Sequence, residues 1–92
     1  MQWTVAYNRK TVKQRSRLPM RIQAILDALT LDIRRSEPVR GDWPNYSRLG
    51  DGVHHCHLKK GHPTYVAVWQ EKDGEIRLVE FIYVGTHEKA PN

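Results

Sequence analysis

The sequence predicts an α+β domain in which two N-terminal helices pack on one face of a small, mainly antiparallel four-stranded sheet. Three observations carry this prediction: an alternating N-terminal segment, a helical apolar stripe after it, and three strand-like segments in the C-terminal half. The order is β-α-α-β-β-β, and the second sheet face is left for function. Because domains usually take about 100–200 residues, residues 1–92 are expected to form a single domain.

The N-terminal third supplies the first strand and both helices. Residues 2–7 alternate β-forming side chains and predict a strand, while residues 8–17 are polar and basic and predict a short solvated helix with little to bury. Residues 19–35 predict an amphipathic helix that begins after Leu18 and ends before Pro38. Its apolar stripe consists of Leu18, Ile22, Ile25, Leu26, Leu29 and Ile33.

The second half begins with a long loop and continues as a meander. Proline, glycine, aspartate and asparagine predict a loop over residues 36–52, which Trp43 and Tyr46 either pin to the core or equip for function, pinning being favoured. Strands are predicted at about 53–59, 63–71 and 75–85. The last two are joined by Lys72-Asp73-Gly74, a hairpin signal.

Charge and cysteine content narrow the class of protein. Lysine and arginine number 15 against 10 acids, and six cations precede the first acid, Asp27, so the expected partner is a phosphate backbone or an acidic protein segment. Cys56 is the single cysteine, which excludes an internal disulfide framework and fits a reducing compartment. Since no stretch predicts a membrane span or an apolar signal core, we expect a cytoplasmic protein without a membrane partner.

Histidines cluster on the first strand of the meander. Four of the five lie between residues 54 and 62, and the fifth, His87, closes the last strand. Strand alternation places one set of side chains, His54, Cys56 and Leu58, toward the core. The opposite face then carries His55, His57 and Lys59, beside a Lys59-Lys60-Gly61 turn.

Three interpretations compete for this cluster. A His-x-His pair can chelate zinc, but neither an HExxH nor a CxxC spacing supplies further ligands, so no metal is expected. The histidines can instead be solvated and idle. The third interpretation is acid and base catalysis on RNA, since imidazole serves both proton roles near neutral pH.

Cations and aromatic rings complete the RNA hypothesis. The candidate phosphate-binding residues are Lys59, Lys60, Arg48 and Arg77, and the candidate base-stacking residues are Tyr65, Tyr83 and Trp43. Core packing is the expectation for Trp3, Trp69 and Phe81. Acyl transfer is not expected, because no Gly-x-Ser-x-Gly exists and Cys56 faces inward.

Several motifs resemble those of one family. The element order, the Leu18-Pro19 opening of the long helix, and the basic strand that runs into a Lys-Lys-Gly turn resemble the RelE/ParE toxin superfamily. The tripeptides Gly41-Asp42-Trp43, Cys56-His57-Leu58 and Gly85-Thr86-His87 are similar to those of its YafQ and YoeB branch of messenger RNA-cleaving toxins. The likeness spans nearly the whole chain.

The resemblance implies a type II toxin that enters the ribosomal A site, cleaves the bound messenger RNA without metal or cofactor, and is held inactive by an antitoxin. It assigns catalysis to His57 and His87, and His55 is a third candidate from its place on the same face. The chain departs from the branch by lacking an aspartate soon after His57 and an aromatic residue after His87. A ParE-like gyrase inhibitor and a catalytically inactive RNA- or protein-binding module are therefore the alternatives.

Overall fold

Two helices lie on one face of a five-stranded sheet in a computed structural model of the chain, which describes residues 2–72 and 74–90. In chain order the elements are β1 (Thr4–Tyr7), α1 (Arg9–Ser16), α2 (Met20–Arg35), β2 (Ser47–Gly50), β3 (Val53–Lys59), β4 (Tyr65–Glu71) and β5 (Leu78–Thr86), followed by a single 3-10 turn at His87–Lys89. The strand order is β1-β5-β4-β3-β2. The predicted α+β architecture is confirmed, but the sheet has five strands instead of four.

The additional strand, β2, lies within the predicted 36–52 loop. It pairs antiparallel with β3, and Ser47 stands opposite His55. The turn between them contains Asp51-Gly52, in which Gly52 adopts a φ of +68°, a conformation that glycine reaches without steric cost. All four residues of β2 are exposed, so the strand carries no alternation of apolar and polar side chains that would reveal it.

The other pairings follow the predicted meander. β3 pairs antiparallel with β4, and β4 pairs antiparallel with β5, whereas β1 pairs parallel with β5. The hairpin expected at Lys72-Asp73-Gly74 joins β4 to β5, although Asp73 itself lies outside the described residues. β5 begins only at Leu78, so the connection is longer than the two-residue turn that Asp-Gly typifies, and Gly74 adopts a φ of +77° in it.

The core lies between α2 and the inner face of the sheet. The predicted helical stripe is buried except at Ile25, which is partly buried, and it packs on Cys56, Leu58, Trp69 and Phe81. Burying each such aliphatic side chain contributes roughly 1.5–3 kcal/mol. Trp69 also donates from Nε1 to the carbonyl oxygen of Pro38 at 3.0 Å, which ties the start of the long loop to the core.

Helix α1 has a larger structural role than its polar sequence predicts. The Asn8 side chain caps it by accepting from the Thr11 N–H at 2.8 Å, and Thr11 is fully buried. Because β1 pairs with β5 only as far as Phe81, the edge of β5 beyond that residue has no neighbouring strand. The side chain of Gln14 provides one hydrogen-bond acceptor along that edge, since its Oε1 accepts from the Val84 N–H at 3.0 Å. Neither α1 nor α2 is long and apolar enough to cross a membrane.

A buried polar chain fixes the other end of the core. His54 is fully buried and stacks on Trp69 with ring centroids 5.8 Å apart. Its Nε2 lies 2.7 Å from Glu71 Oε2, and its Nδ1 lies 2.6 Å from the Tyr46 hydroxyl. An ionised carboxylate only accepts hydrogen bonds, so a neutral imidazole satisfies both contacts by donating from Nε2 and accepting at Nδ1.

Truncation of the two adjacent histidines of β3, His54 and His55, should lower the stability of the fold by very different amounts. H54A should lower the free energy of unfolding by about 2–4 kcal/mol, because it leaves a cavity and removes the partner of two polar groups. H55A removes only a partly exposed ring and should cost less than about 1 kcal/mol. Urea denaturation of both variants measures the difference, and equal losses would contradict the assignment of faces.

Candidate functional site

Three histidines meet on the sheet face that the helices leave open. His57 stands opposite Val66, which stands opposite Gly85, and cross-strand partners share a face of a sheet. Two residues after Gly85 the chain reaches His87. The ring of His57 therefore lies between the other two, with centroids 5.7 Å from His55 and 5.5 Å from His87, both edge to face.

Hydrogen bonds outside the regular sheet hold the three histidines in place. The Ser47 hydroxyl lies 2.9 Å from His55 Nδ1, which links the ring to the neighbouring strand β2. The His57 N–H donates to the Pro44 carbonyl, and the His87 N–H donates to the Thr64 carbonyl, each at 2.8 Å. The cluster is thus fixed from β2, from the long loop and from the turn before β4.

The end of β5 is held by a further contact, from Tyr83. Its hydroxyl donates to the carbonyl oxygen of Thr86 at 2.7 Å, directly before His87. The Tyr83 side chain lies across Gly85, where a Cβ atom would meet its hydroxyl at 2.7 Å. A glycine is therefore needed at this position for Tyr83 to hold the peptide that carries His87.

The electrostatic surroundings favour neutral imidazoles. Burial lowers the pKa of His57, and the positive charges of His55, His87 and Lys60 lower it further. Burial also lowers the pKa of His55, against an opposing contribution from a hydrogen bond with the backbone of Ser47. His57 Nδ1 is buried with no hydrogen-bond partner among the described residues, so a fully protonated ring would bury an N–H without an acceptor.

The predicted cations divide into two pairs. Lys59 ends β3 opposite Tyr65, and the exposed Lys60, whose charge lowers the pKa of His57, lies near the histidines. Arg48 does not, because it stands opposite His54 and therefore on the helix side of the sheet. Arg77 precedes β5, and at about 3.3 Å per residue it lies roughly 30 Å from His87, at the other end of the strand. The structure therefore places Arg48 and Arg77 away from the histidines.

The predicted stacking residues are not open rings beside His57. Trp43 packs against the helix-side core and donates from Nε1 to Asp32 Oδ2 at 2.9 Å, as expected of a residue that pins the loop, and its ring lies on the side of the sheet opposite the histidines. Tyr65 stands opposite Thr86 and packs against the same core. Tyr83 lies on the open face but is only 8% exposed, because it packs with Val66 and Val68.

The residues expected to pack in the core do so. Trp69 and Phe81 are fully buried, and Trp3 packs against them at the edge of the core. Burial, with a smaller contribution from the charge of Asp42, raises the pKa of the Cys56 thiol to about 12. A thiol held protonated in this way is a poor nucleophile, which agrees with the expectation that Cys56 takes no part in acyl transfer.

Sequence reasoning missed the residues that position the histidines. Ser47 lies in the unrecognised strand β2, and only the Asp51-Gly52 hairpin signal could have placed it opposite His55. No sequence signal identifies Thr64, because it holds His87 through its backbone carbonyl oxygen, which every residue has. Within residues 2–72 and 74–90, no carboxylate hydrogen-bonds to His55, His57 or His87, and no group of three His, Cys, Asp or Glu residues is arranged to hold a metal.

The charges around His57 predict its titration. Its pKa should lie below the ordinary histidine value of 6.5, and H55Q should raise it, because a neighbouring positive charge is removed. NMR titration of the ring protons measures both values. H62Q is the matched control, since His62 is exposed in the following turn. A His57 pKa above 6.5, or one that H55Q and H62Q change equally, would contradict this electrostatic picture.

Comparison with known proteins identifies the fold. No protein-family model matches the chain, and no curated protein matches it. A solved structure does: a double arginine-to-alanine mutant of the Escherichia coli toxin RelE in the free state, with a TM-score of 0.75 and 20% sequence identity. The match covers 96% of this chain and 86% of that one. The chain therefore has the RelE-like fold.

Proposed function

We propose that this protein is the toxin of a type II toxin–antitoxin system and cleaves messenger RNA in the ribosomal A site. The observation that carries the proposal is the approach of His57 and His87, thirty residues apart in sequence, to 5.5 Å on an exposed basic face. The RelE-like fold is that of a solved toxin, and the motifs around both histidines are similar to those of the YafQ and YoeB branch.

The cluster can supply both proton transfers of RNA cleavage. The 2′-oxygen attacks the adjacent phosphorus as its proton passes to a base, and the bond from phosphorus to the 5′-oxygen breaks as an acid protonates that oxygen. The products are a 2′,3′-cyclic phosphate and a free 5′-hydroxyl. Atoms and charges balance without a metal or cofactor, since the two imidazoles exchange protonation states.

The surroundings of His57 support one assignment of the two roles. His57 is the base, because burial and three neighbouring positive charges keep its imidazole neutral and able to accept a proton. His87, at the start of the 3-10 turn, is the acid. Lys59 and Lys60 neutralise the charge that develops on the phosphate oxygens. His55 acts through His57, whose ring it contacts and whose pKa it lowers.

The partners follow from charge and from the reaction. A protein that cuts ribosome-bound message acts in the cytoplasm, with the ribosome and messenger RNA as its targets. The chain carries a formal net charge of +5, so its antitoxin is an acidic protein segment.

One observation favours a second candidate, a binding module of the same fold without nuclease activity. The carboxylate that accompanies the strand histidine in the YafQ-like branch has no counterpart here, since Lys59, Lys60 and Gly61 follow Leu58. No carboxylate among the described residues hydrogen-bonds to the three clustered histidines. The two candidates differ in whether message is cut.

Truncation of the two rings tests the proposed chemistry. H57A and H87A should each reduce the rate of cleavage of ribosome-bound message by about 100-fold or more, since general acid and base catalysis contribute about that much. H62A, which removes an exposed histidine outside the cluster, should leave the rate unchanged. Primer extension on message from programmed ribosomes measures the rates.

Three results would count against the proposal. Intact message with bound wild-type protein would establish the inactive binding module. Inhibition of DNA supercoiling with intact message would establish a gyrase inhibitor. Loss of cleavage on addition of a chelator would show that the histidine cluster works through a metal.

Removal of the Tyr83 hydroxyl tests how His87 is positioned. Y83F keeps the ring but loses the hydrogen bond to the Thr86 carbonyl, so the single-turnover rate should fall by about tenfold with ribosome affinity unchanged. Y7F is the matched control, because it loses a tyrosine hydroxyl bonded to Thr30 on the helix side. Equal rates for Y83F and Y7F would show that the contact is merely structural.

A further inference from the structure

A cleft of about 590 Å³ opens between α1 and the end of β5. It exists because β1 stops opposite Phe81, and α1 replaces it along the rest of the β5 edge. The bond between Gln14 and the Val84 N–H fixes the helix to the strand. Val84, Gly85 and Thr86 therefore form a rigid floor on which a ligand can be held.

The walls of the cleft are basic. Lys10 and Arg17 come from α1 and its C-cap, and Lys89 comes from the 3-10 turn. Lys10 and Arg17 are seven residues apart, close to two helical turns, so they project from one side of the helix about 10 Å apart. No acidic residue lines the cleft, as far as the structure describes it.

These three cations lack the neutralisation that other basic residues have. Arg15, on the same helix, makes a two-pronged ion pair with Asp27 at 2.8–3.0 Å. Within the described part of the chain, none of Lys10, Arg17 and Lys89 forms an ion pair. The cleft thus concentrates positive charge that is available to an anion.

The cleft lies next to the histidine cluster along the end of β5. Gly85 forms part of its floor and stands in register with Val66, which stands opposite His57. Thr86, also in the floor, directly precedes His87. Tyr83, whose side chain lies across Gly85, also lines the cleft, and Lys89 of the cleft lies on the same 3-10 turn as His87. An extended chain at the histidines is therefore adjacent to the cleft.

We propose that this cleft binds a phosphate and its sugar on single-stranded RNA, flanking the phosphate held at the histidines. The inference rests on the proposed function, because the same RNA strand would occupy both places. The charges match a phosphate backbone, and the volume suits one or two nucleotides. An acidic protein helix would need apolar anchor points. Of the apolar and aromatic side chains that line the cleft, Leu18, Tyr83 and Val84 are instead only 6%, 8% and 1% exposed, and Tyr65 is half-buried.

Binding of a short RNA that cannot be cleaved tests the cleft. The probe is a fluorescent 2′-O-methyl hexanucleotide, whose blocked 2′-oxygens cannot attack the phosphate. K10A/R17A should weaken its binding by about tenfold and should reduce the slope of log K against log salt by about 1.4, since single strands lose about 0.7 per phosphate contact. The control, K13A/R21A, removes the same charge from exposed positions outside the cleft and should change affinity less than twofold.

The position of the probe is read separately by NMR. On titration of the wild-type protein, the amide signals of Gly85 and Thr86 should shift, and they should shift less in K10A/R17A. Absence of RNA binding by the wild-type protein, or equal weakening in both double variants, would overturn the proposal. Displacement of the RNA by a decaglutamate peptide that binds the same residues more tightly would also overturn it, in favour of an acidic protein occupant.

Failure of the cleft is distinguishable from failure of the proposed function. The first case is cleavage of message by the wild-type protein that depends on His57 and His87, together with equal RNA affinities for K10A/R17A and K13A/R21A. In that case the proposed function stands and the cleft proposal falls. If message is not cut but RNA binding depends on Lys10 and Arg17, the cleft stands and the proposed nuclease falls.

Discussion

The structure depends on the alternation of side chains along β3, because this strand must seal the core and present the histidine cluster at once. Its inner residues, His54, Cys56 and Leu58, are buried beneath α2, and its outer residues include His55 and His57. A slip of one residue in register would exchange the two faces. The buried chain from Tyr46 through His54 to Glu71 opposes such a slip, since those contacts form in one register only. The positions of the His55 and His57 rings are thus set by the burial of their neighbours.

Sequence reasoning succeeded where burial enforces a local period. The stripe of α2 and the alternation of β3 are both visible because apolar side chains must recur on the buried side. The strand β2 has no such period. Its four residues are exposed, and only pairing with β3 defines it. Because β2 was not predicted, the side of the sheet on which Arg48 lies was not predictable either, since it follows from the pairing of Arg48 with His54.

The candidate site could be predicted only in part, because its members come from distant segments. The residues alone placed His55 and His57 together, whereas the addition of His87 rested on the family resemblance. That contact depends on the register of β4 and β5, which shifts between Val68 and Trp69 and leaves no trace in the sequence. The placement of the aromatic candidates has another cause. A chain of 92 residues has few large side chains, and the core competes for them, so Trp43 and Tyr83 are used in packing.

Because Cys56 is buried, the reactivity of its thiol reports local opening of the structure. It is the only thiol in the chain, and it lies between β3 and α2 with a pKa of about 12. Alkylating reagents attack the thiolate, so modification waits until the strand and the helix separate. The rate of labelling under native conditions therefore gives the free energy of local opening at the strand that carries the histidines, and a bound ligand that clamps this strand slows it.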